Sequence, residues 1–269
     1  MSFGSKAAER LANKIVLITG ASSGIGAATA REFASAANGN IRLVLTARRE
    51  SRLTELAKEL SSTYAAIRVH TAKLDVSDTA TIKPFISALP AEFADIDVLI
   101  NNAGKALGKD VVGDISLDDI SGMLQTNVLG LINVTQAVLP GMKARNSGSI
   151  VNIGSIAGRE PYPGGSVYCA SKAAVKSFSH ALRKELISTR VRVLEVDPGA
   201  VETEFSVVRF HGDKAAADKV YEGTEPLTPE DIAEIIVFGV SRKENTVLAE
   251  ALVFPSHQAG AVHVYKKSV

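Results

Sequence analysis

Short apolar runs alternate along this chain with longer amphipathic stretches. Residues 15–19, 41–46, 67–73, 97–100, 149–154 and 191–196 read as strands, with a last one over 246–254. The run Ile15-Val16-Leu17-Ile18-Thr19 is apolar without alternation, as a strand covered on both faces requires. Helical periodicity covers residues 6–12, a stretch from a glycine-rich turn to about residue 36, then 50–60, 117–139, 166–187 and 228–241. Pro140 and Gly141 are expected to end the helix over 117–139. This order predicts an α/β fold: one Rossmann-like, doubly wound parallel sheet of about seven strands with helices on both faces. Residues 204–224 interrupt the alternation as an insertion before the last helix, the usual form of a mobile substrate lid.

Composition narrows this picture. A chain of 269 residues suits one large domain or two small ones. No Pro/Gly/Ser-rich linker, charge block or repeat divides it, so a single domain over 1–269 is expected. A formal net charge of +1 gives no long-range attraction for nucleic acid or an anionic membrane, and neither is expected as a partner. Cys169 stands alone, which excludes an internal disulfide and suits a reducing compartment. Residues 1–13 hold no apolar core of signal-peptide length, and no run approaches the ~20 apolar residues of a membrane span. Residues 267–269 match no prenylation or peroxisomal signal. The expectation is a soluble, cytoplasmic protein acting on a small molecule, with no metal.

Three features carry chemistry. Gly20-Ala21-Ser22-Ser23-Gly24-Ile25-Gly26 lies between a strand and a helix, the context in which glycines let a backbone approach a pyrophosphate and a helix N-terminus receives it. The next strand ends in Ala47-Arg48-Arg49, without the acid that bonds a ribose 2′-hydroxyl in NAD-selective proteins. Two guanidiniums there suit a 2′-phosphate, hence NADP, although a solvated helix start would look the same. Tyr168 and Lys172 stand one helical turn apart, thirteen and seventeen residues after Ser155. Moving a phenol from ~10 to ~7 takes about 4 kcal/mol of preference for the phenolate. A unit charge at about 4 Å supplies roughly that much at an effective dielectric of ~20. Lys172 is therefore expected to lower the pKa of Tyr168, and Ser155 to bond the same substrate oxygen. A lone Tyr-x-x-x-Lys recurs by chance in helices; its place in an ordered series gives it weight.

That series resembles the short-chain dehydrogenase/reductase family. Its cofactor loop reads T-G-x-x-x-G-I-G, which residues 19–26 match at every specified position, and the resemblance spans about residues 14–255. It implies that Gly20, Ser22, Ser23, Gly24, Ile25 and Gly26 cradle the dinucleotide and that Asp75-Val76 touches the adenine. Asn102-Ala103-Gly104 would back the adenosine ribose, and Pro198, Gly199, Val201 and Thr203 would contact the nicotinamide end. It makes Tyr168 the acid–base, Lys172 its partner and a ribose ligand, and Ser155 the group that orients the oxygen. Asn127 would perturb its helix and hold a water for proton relay. Homotetramers are common in the family, with the helices over 117–139 and 166–187 as contact faces.

Gly154-Ser155-Ile156-Ala157-Gly158, Val207-Val208-Arg209-Phe210 and Phe254-Pro255 resemble the subgroup that oxidises small 3-hydroxy acids such as L-serine, L-allo-threonine and 3-hydroxypropionate with NADP. Such a substrate needs a cation for its carboxylate; Arg209 is the first expectation and Arg159 the second. A broad ketone reductase, a 3-oxoacyl reductase and a catalytically silent dinucleotide-binding regulator stand as alternatives. The last would require a lost catalytic group, yet Asn127, Ser155, Tyr168 and Lys172 are all present.

Overall fold

The structure, a computed structural model, describes residues 3–267, so the expectations for Met1, Ser2, Ser268 and Val269 lie outside it. The first half runs α1 (Phe3–Leu11), β1 (Ile15–Thr19), α2 (Gly24–Ala36), β2 (Arg42–Ala47), α3 (Glu50–Thr63), β3 (Arg68–Lys73), α4 (Thr79–Ser87) and β4 (Val98–Asn101). After a long loop come α5 (Leu117–Leu124), a π-helical turn (Gln125–Gly130), α6 (Leu131–Arg145), β5 (Gly148–Ile153), α7 (Ser166–Glu185) and β6 (Val191–Pro198). Two short helices, α8 (Phe205–Arg209) and α9 (Lys214–Tyr221), precede α10 (Pro229–Val240) and β7 (Glu250–Val253).

All seven strands are parallel, in the order β3-β2-β1-β4-β5-β6-β7. The apolar run of β1 shows why both faces must be covered. Val16 and Ile18 pack into one core with Phe33, Leu43, Leu53 and Ile236, while Ile15 and Leu17 pack into the other with Leu99, Val134, Met142 and Leu182. The pleat thus divides one continuous hydrophobic run between two layers of helices. Phe33 is wholly buried, and truncating it to Ala would cost about 3–5 kcal/mol. The order reverses between β1 and β4, and ligands in such sheets sit outside the carboxyl ends of the strands at that point.

Several boundaries differ from the sequence reading. The helix expected over 117–139 is three segments, and Pro140 lies inside α6. Proline removes the bond to the carbonyl four residues earlier, but Gln136 and Pro140 are both exposed while Val134, Val138 and Met142 bury one face. Packing on the sheet carries α6 on to Asn146, whose left-handed backbone (φ 49°) ends it. The last strand shortens to four residues, and α4, which carries Pro84, was not foreseen. The insertion over 204–224 carries the short helices α8 and α9.

Candidate active site

One cavity of about 690 Å³ opens at the carboxyl ends of the strands, and every residue expected at the site lines it except Gly26, Asn127 and Arg159. At one end is the turn after β1. Gly20 has φ +68°, and a Cβ there would stand 2.9 Å from both Ala103 Cα and Asn102 Nδ2. Asn102 Nδ2 donates to the carbonyls of Thr19 (2.9 Å) and Gly20 (3.2 Å), so the residue after β4 ties down the glycine turn. Gly26 explains its own absence from the lining: a Cβ would lie 2.5 Å from Asn102 Nδ2 and from the Gly20 carbonyl. Its role is close packing of α2 on the turn.

Arg48 and Arg49 follow the buried Ala47 at the end of β2. Arg48 places its charge near Asp75, whose carboxylate accepts from Ser77 N (3.0 Å) and Oγ (2.6 Å). Arg49 Nη2 donates to Ser23 Oγ at 2.7 Å, and its Nη1 to Glu204 Oε2 at 2.8 Å. Forked donors over an acid-free strand end, beside a turn with no room for a Cβ at Gly20 or Gly26, fit a dinucleotide bearing a 2′-phosphate.

At the other end β5 delivers Gly154 and Ser155, and α7 delivers Tyr168 and Lys172. Ser155 Oγ accepts from Ala157 N (3.1 Å), and its own N–H donates to Asp197 Oδ1 (3.1 Å). The Tyr168 ring meets Phe205 of α8 edge-on, centroids 5.7 Å apart. Lys172 is buried; its Nζ donates to the Ile153 carbonyl at 2.7 Å and lies 5.9 Å from the Tyr168 ring centroid.

Burial dominates the electrostatics at this end of the cavity. Although the cavity leaves part of Tyr168 accessible, burial pushes its phenol well above the ordinary range. The Ser155 hydroxyl opposes this, Tyr162 adds to it, and the charge of Arg209 also opposes it; Lys172 is not prominent among these influences. Lys172 is instead pushed down to about 8 by burial, while Asp197 and Glu195 work to raise it.

Asn127 sits in the π-helical turn, buried. Its Oδ1 accepts from Lys105 N (2.9 Å), and its Nδ2 donates to the Lys105 carbonyl (2.8 Å) and Ser171 Oγ (3.0 Å). It clamps the loop after β4 beside Lys172 with its whole amide, and only one lone pair of Oδ1 remains for a water. Arg159 is turned away from the cavity: its Nε donates to Asp197 Oδ2 at 2.7 Å, and Nη2 pairs with Glu250. That replaces the expectation of a substrate contact with an ion pair under the site. Arg209 does line the cavity, braced by donation to the Gly108 carbonyl (3.2 Å), Tyr162 OH (3.1 Å) and the Gly164 carbonyl (3.1 Å). Three N–H groups are thereby used and two of the five remain.

Residues that the sequence reading missed include Glu195, Asp197, Lys109 and Glu204. Glu195 and Asp197 are wholly buried on one face of β6, two residues apart. Acids at i and i+2 in an apolar strand were the available signal. Lys109 lines the cavity with its ammonium 4.8 Å from the Phe210 ring centroid.

A parallel sheet with its crevice at the switch point, a glycine turn braced by Asn102 and a Ser, Tyr and Lys converging on that crevice define a dinucleotide-dependent oxidoreductase fold. Residues 14–213 match the short chain dehydrogenase family, and this chain belongs to it. Over 258 residues it is 61% identical to an NADP-dependent 3-hydroxy acid dehydrogenase of Schizosaccharomyces pombe, covering 96% of this chain and 98% of that relative. Over 246 residues it is 49% identical to sulfoacetaldehyde reductase 2 of Chromohalobacter salexigens, covering 91% and 95% respectively. Among solved structures, the closed form of a serine dehydrogenase complexed with NADP+ superposes with a TM-score of 0.86 at 42% identity, over 94% of this chain and all of that one.

Proposed function

We propose that this chain is an NADP-dependent oxidoreductase that moves a hydride between the nicotinamide and the hydroxyl-bearing carbon of small 3-hydroxy acids, of the L-serine, L-allo-threonine and 3-hydroxypropionate type. The observation that carries this reading is the layout of one cavity. Arg48 and Arg49 stand at one end, while Ser155, Tyr168 and the cationic Arg209 stand at the other. The identities with a 3-hydroxy acid dehydrogenase and a serine dehydrogenase support it.

Gly20, Ser23, Arg48 and Arg49 would hold the cofactor, which would supply the hydride acceptor or donor and, when oxidised, a positive charge. The residues do the rest. Tyr168 Oη takes the hydroxyl proton during oxidation and returns it during reduction. Ser155 Oγ bonds the same substrate oxygen and favours the phenolate of Tyr168. Lys172 would hold the nicotinamide ribose while its Nζ donates to the Ile153 carbonyl. Asn127 fixes the loop beside Lys172 along which the proton returns to solvent. Arg209 receives the substrate carboxylate on its two remaining N–H groups, and its charge also favours the phenolate. Segment 204–224 acts as the lid, with Phe205 and Arg209 facing the chemistry from α8.

The same reading includes a homotetramer in the cytoplasm. Exposed Leu117, Leu124 and Leu129 on the α5–α6 side support the helical contact face, and no helix among the described residues is long and apolar enough to cross a membrane. Sedimentation tests the assembly. For the activity, steady-state rates with L-serine, 3-hydroxypropionate and a hydrophobic ketone, each with the matching NADP or NAD form, are the test. The hydroxy acids should give the higher kcat/KM, with NADP favoured by about tenfold or more, or roughly 1.4 kcal/mol. A ketone preference, or equal use of both cofactors, would overturn the reading.

A further inference from the structure

Glu204 opens the lid segment beside the glycine turn, where Thr203 packs on Gly24, and pairs with the cofactor end. Its Oε2 accepts from Arg49 Nη1 at 2.8 Å, and its Oε1 stands 4.0 Å from Arg52 Nη2. Arg49 has its other edges on Ser22 Oγ (Nε 3.3 Å, Nη2 3.2 Å) and Ser23 Oγ (Nη2 2.7 Å). One of the two guanidiniums expected at the 2′-phosphate is therefore already paired with a carboxylate from the lid segment. That carboxylate is held below its ordinary range chiefly by the hydrogen bond from Arg49. Both side chains are about half exposed, at 47% and 46%, and an ion pair so open to solvent is weak and exchangeable. A phosphate carries more charge and three acceptor oxygens, so it competes well for the same fork.

We infer that Glu204 is a stand-in anion that the cofactor's 2′-phosphate displaces from Arg49, making this one carboxylate a determinant of NADP discrimination and a tether between cofactor and lid. The inference rests on the NADP reading above. Displacement acts on α8 directly, because Glu204 is its N-terminal cap and its carbonyl accepts from Val208 N at 3.1 Å. Phe205 against Tyr168, and Arg209 at the far end of the same turn, then feel whether the phosphate is present. NAD, lacking that phosphate, leaves the Arg49–Glu204 pair intact.

Calorimetric titration with 2′,5′-ADP and with 5′-AMP tests this without turnover. The wild type should bind 2′,5′-ADP more tightly, and Glu204→Gln and Glu204→Ala should tighten it further by roughly two- to fivefold while leaving 5′-AMP unchanged. Amide exchange over residues 204–210 of the wild type should rise with 2′,5′-ADP and not with 5′-AMP. Unchanged or weaker 2′,5′-ADP binding in both variants would overturn the inference while the NADP reading stood. Equal binding of both nucleotides by the wild type would overturn the NADP reading and this inference with it.

Discussion

Asp197 accepts the backbone N–H of Ser155 at 3.1 Å and shares its strand face with a second wholly buried acid, Glu195. Burial first, and Asp197 second, push the Glu195 carboxyl from 4.5 up to about 8. Between those values the folded state holds a proton that the unfolded chain has released, so wild-type stability falls as pH rises through that window. Glu195→Gln keeps the shape and removes the titration. Its melting temperature relative to wild type should therefore climb between pH 5 and pH 8. A difference that stays constant with pH would show that Glu195 does not titrate there.

Lys172 titrates in the opposite sense. Its ammonium is lowered to about 8, so this lysine costs stability in full below 8 and progressively less as pH rises toward 10.5. Because Asp197 is the foremost group raising it, Asp197→Asn should shift the Lys172 titration to lower pH, while the amide oxygen can still accept from Ser155. Lysine side-chain NMR on the cofactor-free protein reads this directly. An unmoved Lys172 titration in the variant would remove Asp197 from the account.

Arg209 should show two separable effects. Arg209→Ala is expected to raise KM for L-serine and 3-hydroxypropionate by on the order of tenfold, the worth of a charged hydrogen bond, and to spare neutral alcohols. Its charge also favours the Tyr168 phenolate, so oxidation of neutral alcohols should need higher pH in the variant. Arg209→Lys keeps the charge and should restore the pH profile more than the KM. Equal losses on acids and neutral alcohols would assign Arg209 to bracing Gly108 and Gly164 alone.

Local spacing made much of this site legible in the chain. The glycine turn, the Arg pair after β2 and the i, i+4 relation of Tyr168 and Lys172 are short-range patterns, and the fold keeps them. What escaped depends on partners distant in sequence. Pro140 should have stopped its helix, but burial of Val134, Val138 and Met142 overrode it. Arg159 read as a spare cation until Glu250, 91 residues away, was placed beside it. Lys172 read as a partner of Tyr168, and its bond to the Ile153 carbonyl, 19 residues away, left no signal in the chain.

The central claim is that Tyr168 Oη carries the substrate proton. The most direct measurement is the initial rate of NADPH formation from L-serine by wild type and Tyr168→Phe, followed at 340 nm, with NADP affinity measured separately. The phenylalanine ring keeps the packing on Phe205 and loses only the transferring oxygen. The account predicts unchanged NADP binding and a rate lower by on the order of 10²-fold or more. A variant that binds NADP and retains more than about a tenth of the wild-type rate would contradict it.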